Sequence, residues 1–204
     1  MNGARHRAIS GSAAALALLL GCSSIERSWD LAYEDEDNNR WEQAYQRWIQ
    51  IVDEAQREQR PDADLAVYYH NLGRTAGVTC RFDPSEQALL RSVELYEKTG
   101  GRAFNPLIEL GRLNLDQKKY AASARYFQQA LDAEERAKFK PDARSNALIL
   151  DDYALALAAT GDAAGAKQVR ERAVAQRKDA PARGGFSGRP PYGKFCPPAA
   201  TPQR

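Results

Sequence analysis

The chain has 204 residues, of which 43% are hydrophobic, 27% charged and 9% aromatic. This composition is typical of a globular protein and excludes a chain that is disordered throughout. Basic residues exceed acidic ones only by 29 to 27, so the strong positive field of a nucleic-acid-binding protein is absent.

The first 21 residues have the pattern of an export signal. Arg5 and Arg7 supply positive charge, and an apolar segment of 13 residues, Ala8–Leu20, follows them. A membrane-spanning helix needs ~20 apolar residues, so this segment is too short to be one. It ends at Gly21 and Cys22, which resembles the lipobox of bacterial lipoproteins. An uncleaved membrane anchor and an ordinary secretory signal are the alternatives.

The lipobox resemblance implies that the mature protein begins at Cys22 and carries lipid chains on that residue. Residues 22–27 would then be an anchor and linker. In Gram-negative bacteria, Ser23 in place of aspartate implies sorting to the outer membrane, with the protein facing the periplasm. Loss of residues 1–21 removes two arginines and leaves 27 basic and 27 acidic residues. We therefore expect a membrane-anchored protein with no nucleic-acid partner.

Two segments of the mature chain share one helical hairpin pattern. In each, apolar residues recur at helical spacing on two predicted helices that a short polar turn separates. The first helix carries Leu31 and Ala32 in one copy, and Leu110 and Gly111 in the other. The second helices match at spacings of three, four and three residues: Trp41, Ala44, Trp48 and Ile51 against Tyr120, Ser123, Phe127 and Ala130.

Two further copies complete the series. Residues 66–99 contain Leu72 and Gly73, and we expect a lengthened turn through Arg81–Pro84 before a helix over Ser85–Lys98. The fourth copy has Tyr153 and Ala154 before a turn. That turn, Gly161 and Asp162, leads into a helix marked by Ala163, Ala166, Arg170 and Ala173.

The shared pattern resembles the tetratricopeptide repeat (TPR), a helix-turn-helix unit of roughly 34 residues that stacks into a solenoid. The resemblance covers residues 28–177 and implies an all-α superhelix of four hairpins and eight helices. About three repeats are needed to bury a continuous core, so four suffice. The aromatic residues at helical spacing are then expected to pack between hairpins rather than to form a cofactor site: Trp41, Trp48, Tyr120, Tyr126 and Phe127.

In the TPR family, the first helix of each hairpin lines a concave groove that binds partners. The family's pattern places these residues in the groove: Trp29, Tyr33, His70, Asn71, Arg74, Ile108, Arg112, Asp151 and Leu155. Asn71 matches a slot where the family often places an asparagine that bonds a peptide backbone. Arg74 and Arg112 could hold a carboxylate bidentately. The alternative is that these residues are solvated side chains on an unused face.

The sequence shows no catalytic or metal-binding motif. Of the two histidines, His6 leaves with the signal, and His70 is more typical of a packed or groove residue than of a metal ligand. The spacings of zinc, nucleophile-elbow and phosphate-loop motifs are absent. We therefore expect no enzyme activity, no cofactor, no metal and no small-molecule substrate.

Two cysteines remain in the mature chain besides Cys22. Cys80 and Cys196 are either joined by a disulfide, which an oxidising compartment permits, or are two separate thiols. A bond between them would bring the tail back across the repeats. That tail, residues 178–204, is rich in proline and glycine and cannot form a core of its own. It is either disordered or tethered, and serves as a spacer, a partner-binding strip or a lid.

Together, these features predict a lipid-anchored adaptor or assembly factor of the bacterial envelope, holding a protein partner in its groove. An accessory subunit of a cell-wall enzyme is one alternative. A scaffold that binds peptidoglycan or other glycans through exposed aromatic residues is another.

Overall fold

The structure, a computed structural model, describes residues 24–137, 142–179 and 189–197. These ranges contain eight α-helices, as the repeat pattern predicts, and no strand. The helices are α1 (Ser24–Asp37), α2 (Trp41–Arg57), α3 (Asp62–Val78), α4 (Phe82–Thr99), α5 (Phe104–Asp116), α6 (Tyr120–Ala137), α7 (Ala143–Ala159) and α8 (Ala163–Asp179). The predicted export signal and Cys22 lie outside the described ranges. No helix within those ranges is long and apolar enough to cross a membrane.

Consecutive helices form four hairpins: α1 with α2, α3 with α4, α5 with α6, and α7 with α8. The first helices α3, α5 and α7 also contact one another in order, whereas the second helices of the described hairpins do not. The stack therefore curves, and the first helices lie on its inner side. We call the inner face of α1, α3, α5 and α7 the concave groove.

Every hairpin turns through three residues, and the middle one has a positive φ. These residues are Asn39 (57°), Cys80 (65°), Lys118 (60°) and Gly161 (89°). In each turn the next backbone N–H bonds back to a carbonyl five residues earlier, as Arg81 does to Ala76 at 2.8 Å. This is the Schellman ending of a helix. The prediction of a lengthened turn in the second hairpin is wrong, because α4 begins at Phe82 rather than at Ser85.

The domain also begins earlier than expected. Helix α1 starts at Ser24, inside the segment that we assigned to the anchor and linker, and Ile25 is only 1% exposed. A buried isoleucine favours extending the helix because it adds apolar contact at the end of the stack.

Close approach within the second and third hairpins depends on one repeated arrangement. A Cβ added at Gly73 would lie 2.6 Å from the Leu89 side chain, and one at Gly111 would lie 2.8 Å from Phe127. Serine hydroxyls beside these glycines donate to the glycine carbonyls, from Ser123 to Gly111 at 2.8 Å, for example. Glycine is therefore required where the two helices touch.

The second helices carry four of the eight buried aromatic residues of the described chain. Trp48 and Phe127 are fully buried, and Trp41 and Tyr126 are less than one tenth exposed, whereas Tyr120 is partly exposed. Trp48 packs edge-to-face against Trp29 and Tyr33 of α1, with ring centroids 5.3 and 5.4 Å apart. These contacts hold the two helices of the first hairpin together.

Candidate functional site: the concave groove

Part of the predicted groove is a single open cleft of about 570 Å³ on the concave face. Volumes of ~300–1,000 Å³ are typical of ligand sites. The cleft is lined by six of the nine predicted groove residues: Tyr33, His70, Asn71, Arg74, Ile108 and Arg112. Phe104, Asn105 and Leu148 add to its walls, and Pro190 of the tail closes one side.

The other three predicted groove residues, Trp29, Asp151 and Leu155, lie elsewhere. Trp29 is half-buried in the aromatic cluster of the first hairpin. Asp151 faces α8, where it forms an ion pair with Arg177. Its neighbour Asp152 faces the groove instead, because successive residues on a helix point about 100° apart. Leu155 is 54% exposed and does not line the cleft.

Alternating charges connect the hairpins along the groove floor. Arg74 of α3 lies 3.2 Å from Glu36 of α1. Arg112 of α5 lies 3.2 Å from Glu109 on the same helix and 3.1 Å from Asp152 of α7. Burial raises the pKa of the Glu36 carboxyl, although Arg74 and the Trp48 N–H favour its ionised form. The ion pairs tie α1 to α3 and α5 to α7.

These pairs change the role expected for Arg112. Its side chain is only 8% exposed, and both of its carboxylate partners belong to the chain. Removing one member of a buried pair leaves a charge without compensation, which costs free energy. Arg112 therefore holds the groove floor together, and Arg74, 18% exposed, is the more accessible of the two guanidinium groups.

Residues 189–197 cross the groove, and we call this segment the strap. Its Tyr192 is 2% exposed, and the hydroxyl donates to Glu109 Oε2 at 2.6 Å. Burial opposes ionisation of Glu109, but Arg112 and Arg74 outweigh that effect and lower its pKa. Burial and the nearby Glu109 charge raise the pKa of Tyr192 well above 10. The phenol therefore stays a donor and the carboxylate an acceptor at neutral pH.

The strap backbone and its cysteine complete the attachment. The N–H groups of Gly193 and Phe195 donate to the carbonyls of Gly77 and Val78 at 3.0 and 3.1 Å, where α3 ends. Carbonyls at a helix C-terminus lack partners within the helix, so the strap caps α3. Of the alternatives left open for the cysteines, the structure has the disulfide, with Cα atoms of Cys80 and Cys196 5.1 Å apart. The described part of the tail is thus tethered.

His70 lies in the open cleft beside the strap. Its Nδ1 is buried and has no hydrogen-bond partner among the described residues. Burial, reinforced by the Arg74 charge, lowers the pKa of His70 from 6.5 to about 4. The imidazole is therefore neutral at physiological pH, and its Nδ1 is a buried polar atom that no described residue satisfies.

Sequence reasoning missed the acids and the tail residues of the site. Glu36, Glu109 and Asp152 fall outside the positions that the family pattern marks, and nothing in their local sequence indicates burial. Arg189 and Tyr192 did carry a signal, because a tail that cannot form its own core has little reason to keep charged and aromatic side chains.

The described residues contain no group of three or more His, Cys, Asp or Glu side chains that could hold a metal ion. The polar groups of the groove are instead hydrogen-bond donors, acceptors and ion pairs spread over four helices. Such an arrangement can bind an extended ligand along the groove.

No family model and no curated protein match the chain. Solved structures do resemble it. The crystal structure of BtubC (BKLC) from P. vanneervenii has a TM-score of 0.70 at 15% identity, over 81% of this chain and 67% of that one. TPR-like repeats of a candidate kinesin light chain from P. anserina have a TM-score of 0.62 at 16% identity, over 78% and 77%. The chain therefore has the fold of a TPR-like helical solenoid, an architecture whose concave surface typically binds protein partners.

Proposed function

We propose that the chain is a lipid-anchored adaptor of the bacterial envelope that holds an extended segment of a protein partner in the open cleft. The observation that carries the proposal is the cleft itself. Apolar walls from Ile108 and Leu148 stand beside polar groups, one of which, His70 Nδ1, is buried and has no partner among the described residues. An extended peptide offers both side chains for the walls and backbone groups for the polar atoms.

The envelope location is supported by two features that do not depend on each other. The leader pattern that ends at Cys22 resembles a lipobox, and the Cys80–Cys196 disulfide is typical of proteins outside the reducing cytosol. We propose that the role is binding without catalysis, close to the membrane surface.

The cleft assignment can be tested by photo-crosslinking in the native cells. A photoreactive amino acid at Leu148, in the cleft wall, should capture a specific envelope protein, and one at Gln129, on the exposed side of α6, should not. Asn105→Trp, which fills the cleft from α5, should abolish the capture, whereas Gln129→Trp should leave it intact. Capture that survives Asn105→Trp, or that is equal from both crosslinker positions, would rule out the cleft.

The anchor can be tested separately by fractionation. Wild type should partition with outer membranes and incorporate labelled palmitate, and Cys22→Ser should do neither while keeping the same helical circular dichroism. A Cys22→Ser protein that remained membrane-bound in high salt would contradict lipid anchoring.

A further inference from the structure

The strap is seated in the groove as a peptide ligand would be. Its backbone bonds the end of α3, Tyr192 enters the space between α3 and α5, and Arg189 reaches Asp116 and Asp152 at 2.9 and 3.2 Å. Backbone hydrogen bonds, a buried aromatic ring and ion pairs thus all come from nine consecutive residues. The strap thus shows which chemistry this part of the groove accepts.

The Tyr192 socket is specific in shape. A Cβ added at Gly77 would lie 2.6 Å from Tyr192 Cδ1 and 2.8 Å from Leu113 Cδ1. Only a glycine at this place on α3 lets the ring lie flat against the helix. At the base of the socket, Glu109 accepts the phenolic hydroxyl. An aromatic ring with a hydroxyl donor fits, whereas an aliphatic side chain would leave the buried carboxylate with one partner fewer.

The charges of the strap and of its seat are complementary. The strap carries Arg189 and Lys194 and no acidic residue. Its seat contains Glu109, Asp116 and Asp152 against two cations, Arg112 and Arg74, and Arg74 is also paired with Glu36. Without the strap, this part of the groove has an excess of negative charge, and an incoming basic segment would restore the balance.

From these contacts we infer that the strap seat is a recognition site for extended basic protein segments in which a tyrosine follows an arginine at a spacing of three residues. The strap is its resident ligand, and the Cys80–Cys196 disulfide keeps that ligand in place. The inference rests on the proposed function, because it assumes that the concave groove binds protein segments. It adds a second, closed subsite with its own specificity beside the open cleft.

Opening the subsite takes the reduction of one disulfide, in two successive thiol–disulfide exchanges. Cys196 is exposed and Cys80 is half-buried, so a thiolate of a dithiol reductant can attack the bond. A mixed disulfide forms first, and the second thiol of the reductant then releases it. The reductant becomes a disulfide, and the two cysteines become thiols. The chain then holds the strap by non-covalent contacts alone.

A reduced strap still competes with any partner, because nine residues link Asp179 of α8 to Arg189. A short linker of this kind gives an effective concentration in the mM range. Binding in trans is therefore best measured when the resident tyrosine is removed as well. The full mature chain with Cys80→Ser, Cys196→Ser and Tyr192→Ala provides that open state without truncation.

The experiment uses a fluorescent peptide of residues 189–197 with serine in place of Cys196, titrated with the open-state protein and followed by anisotropy. We expect saturable binding that weakens at least tenfold when the peptide tyrosine is changed to alanine. Oxidised wild type should not bind the peptide. Gly77→Ala in the open-state protein should also weaken binding at least tenfold, because its methyl group occupies the socket.

Gly165→Ala is the matched control for Gly77→Ala. It adds a methyl group to another helix, where the new Cβ would meet the exposed Asp162 side chain and no strap residue. It should leave peptide binding unchanged, and circular dichroism should show equal helix content in all variants. Equal affinity for the tyrosine and alanine peptides, or no effect of Gly77→Ala, would overturn the inference. The proposed function is scored independently by crosslinking from Leu148, so either can fail alone.

Discussion

The concave groove has two halves that differ in how far the chain completes them. Beneath the strap, the Tyr192 hydroxyl, the Glu109 carboxylate and the Arg112 guanidinium are buried and paired with one another or with Asp152, and Glu109 and Arg112 mark the border with the open cleft. In the open cleft beside it, no residue in the described part of the chain satisfies the buried His70 Nδ1, and Leu148 of the wall is partly exposed.

A buried polar group costs free energy until it finds a hydrogen-bond partner. The strapped half has already gained those bonds from the chain's own tail. The open half has not gained such bonds from the tail. A ligand can therefore bind there without first displacing the strap. The comparison separates a structural half of the groove from one that is ready to bind.

The largest effect is expected from the core on which both halves depend. Phe127 is fully buried against Gly111 and lies 5.9 Å from the Tyr153 ring. Phe127→Ala should lower the free energy of unfolding by ~3–5 kcal/mol in urea denaturation, through lost burial and the cavity left behind. Val174→Ala, at a position 51% exposed, should cost less than ~0.5 kcal/mol. If Phe127→Ala lowers the free energy of unfolding by less than about 1 kcal/mol, Phe127 is not a core residue.

The next effect concerns the strapped half alone. The disulfide closes a loop with a sequence separation of 116 residues. The chain-entropy account gives up to ~4–5 kcal/mol for such a loop, and measured values are typically ~2–4 kcal/mol. Cys80→Ser with Cys196→Ser should therefore lower the free energy of unfolding by ~2–4 kcal/mol. Wild type in dithiothreitol should unfold with the variant, and a reduced protein as stable as the oxidised one would contradict the prediction.

In the open half, His70 should make the free energy of unfolding depend on pH. The folded-state pKa of His70 is about 4, below its ordinary 6.5, so the unfolded chain takes up the proton first as pH falls. The neutral His70 side chain therefore contributes fully to the free energy of unfolding above pH 6.5. That contribution, ~3 kcal/mol, is lost as the pH falls from 6.5 towards 4. The raised pKa of Glu36 acts in the opposite sense, and the lowered pKa of Glu109 matters only at lower pH.

The comparison that isolates His70 is with His70→Asn, which does not titrate. Between pH 6.5 and 4, the free energy of unfolding of wild type should fall more steeply than that of the variant. Parallel curves for the two proteins would show that the imidazole is not buried in the folded state.

The smallest effects should distinguish two neighbouring acids. Asp152→Ala removes a partner of buried Arg112 and of Arg189, and should cost ~1–3 kcal/mol. Asp151→Ala breaks an exposed pair with Arg177 and should cost less than ~0.5 kcal/mol. Urea denaturation of both variants measures the difference. Equal losses would mean that α7 does not present Asp152 to the groove.

The helices were predictable from sequence because apolar residues at helical spacing leave few other ways to bury them. The errors were local. The turn of the second hairpin was misread since Cys80 occupies a left-handed position that usually takes glycine or asparagine. In the fourth hairpin, the family rule selected Asp151, but the rotation of α7 presents Asp152.

Repetition also explains why six groove residues could be selected without a structure. Five of them lie two positions from Leu31, Leu72 or Leu110 of the TPR pattern, and Asn71 lies next to Leu72. Such positions face inward whenever the hairpins stack in the same way. Buried carboxylates such as Glu109 could not be selected, because burial of a charge depends on partners that arrive from other hairpins.

Helix positions, hairpin number and stacking are thus decided by patterns within about 40 residues, where local periodicity is enough. The position of the tail is decided by contacts between residues much farther apart in the sequence. Tyr192 finds Glu109, and Cys196 finds Cys80, only after α3, α5 and α7 have been brought side by side. No local pattern encodes that site, because its parts have meaning only once the stack exists.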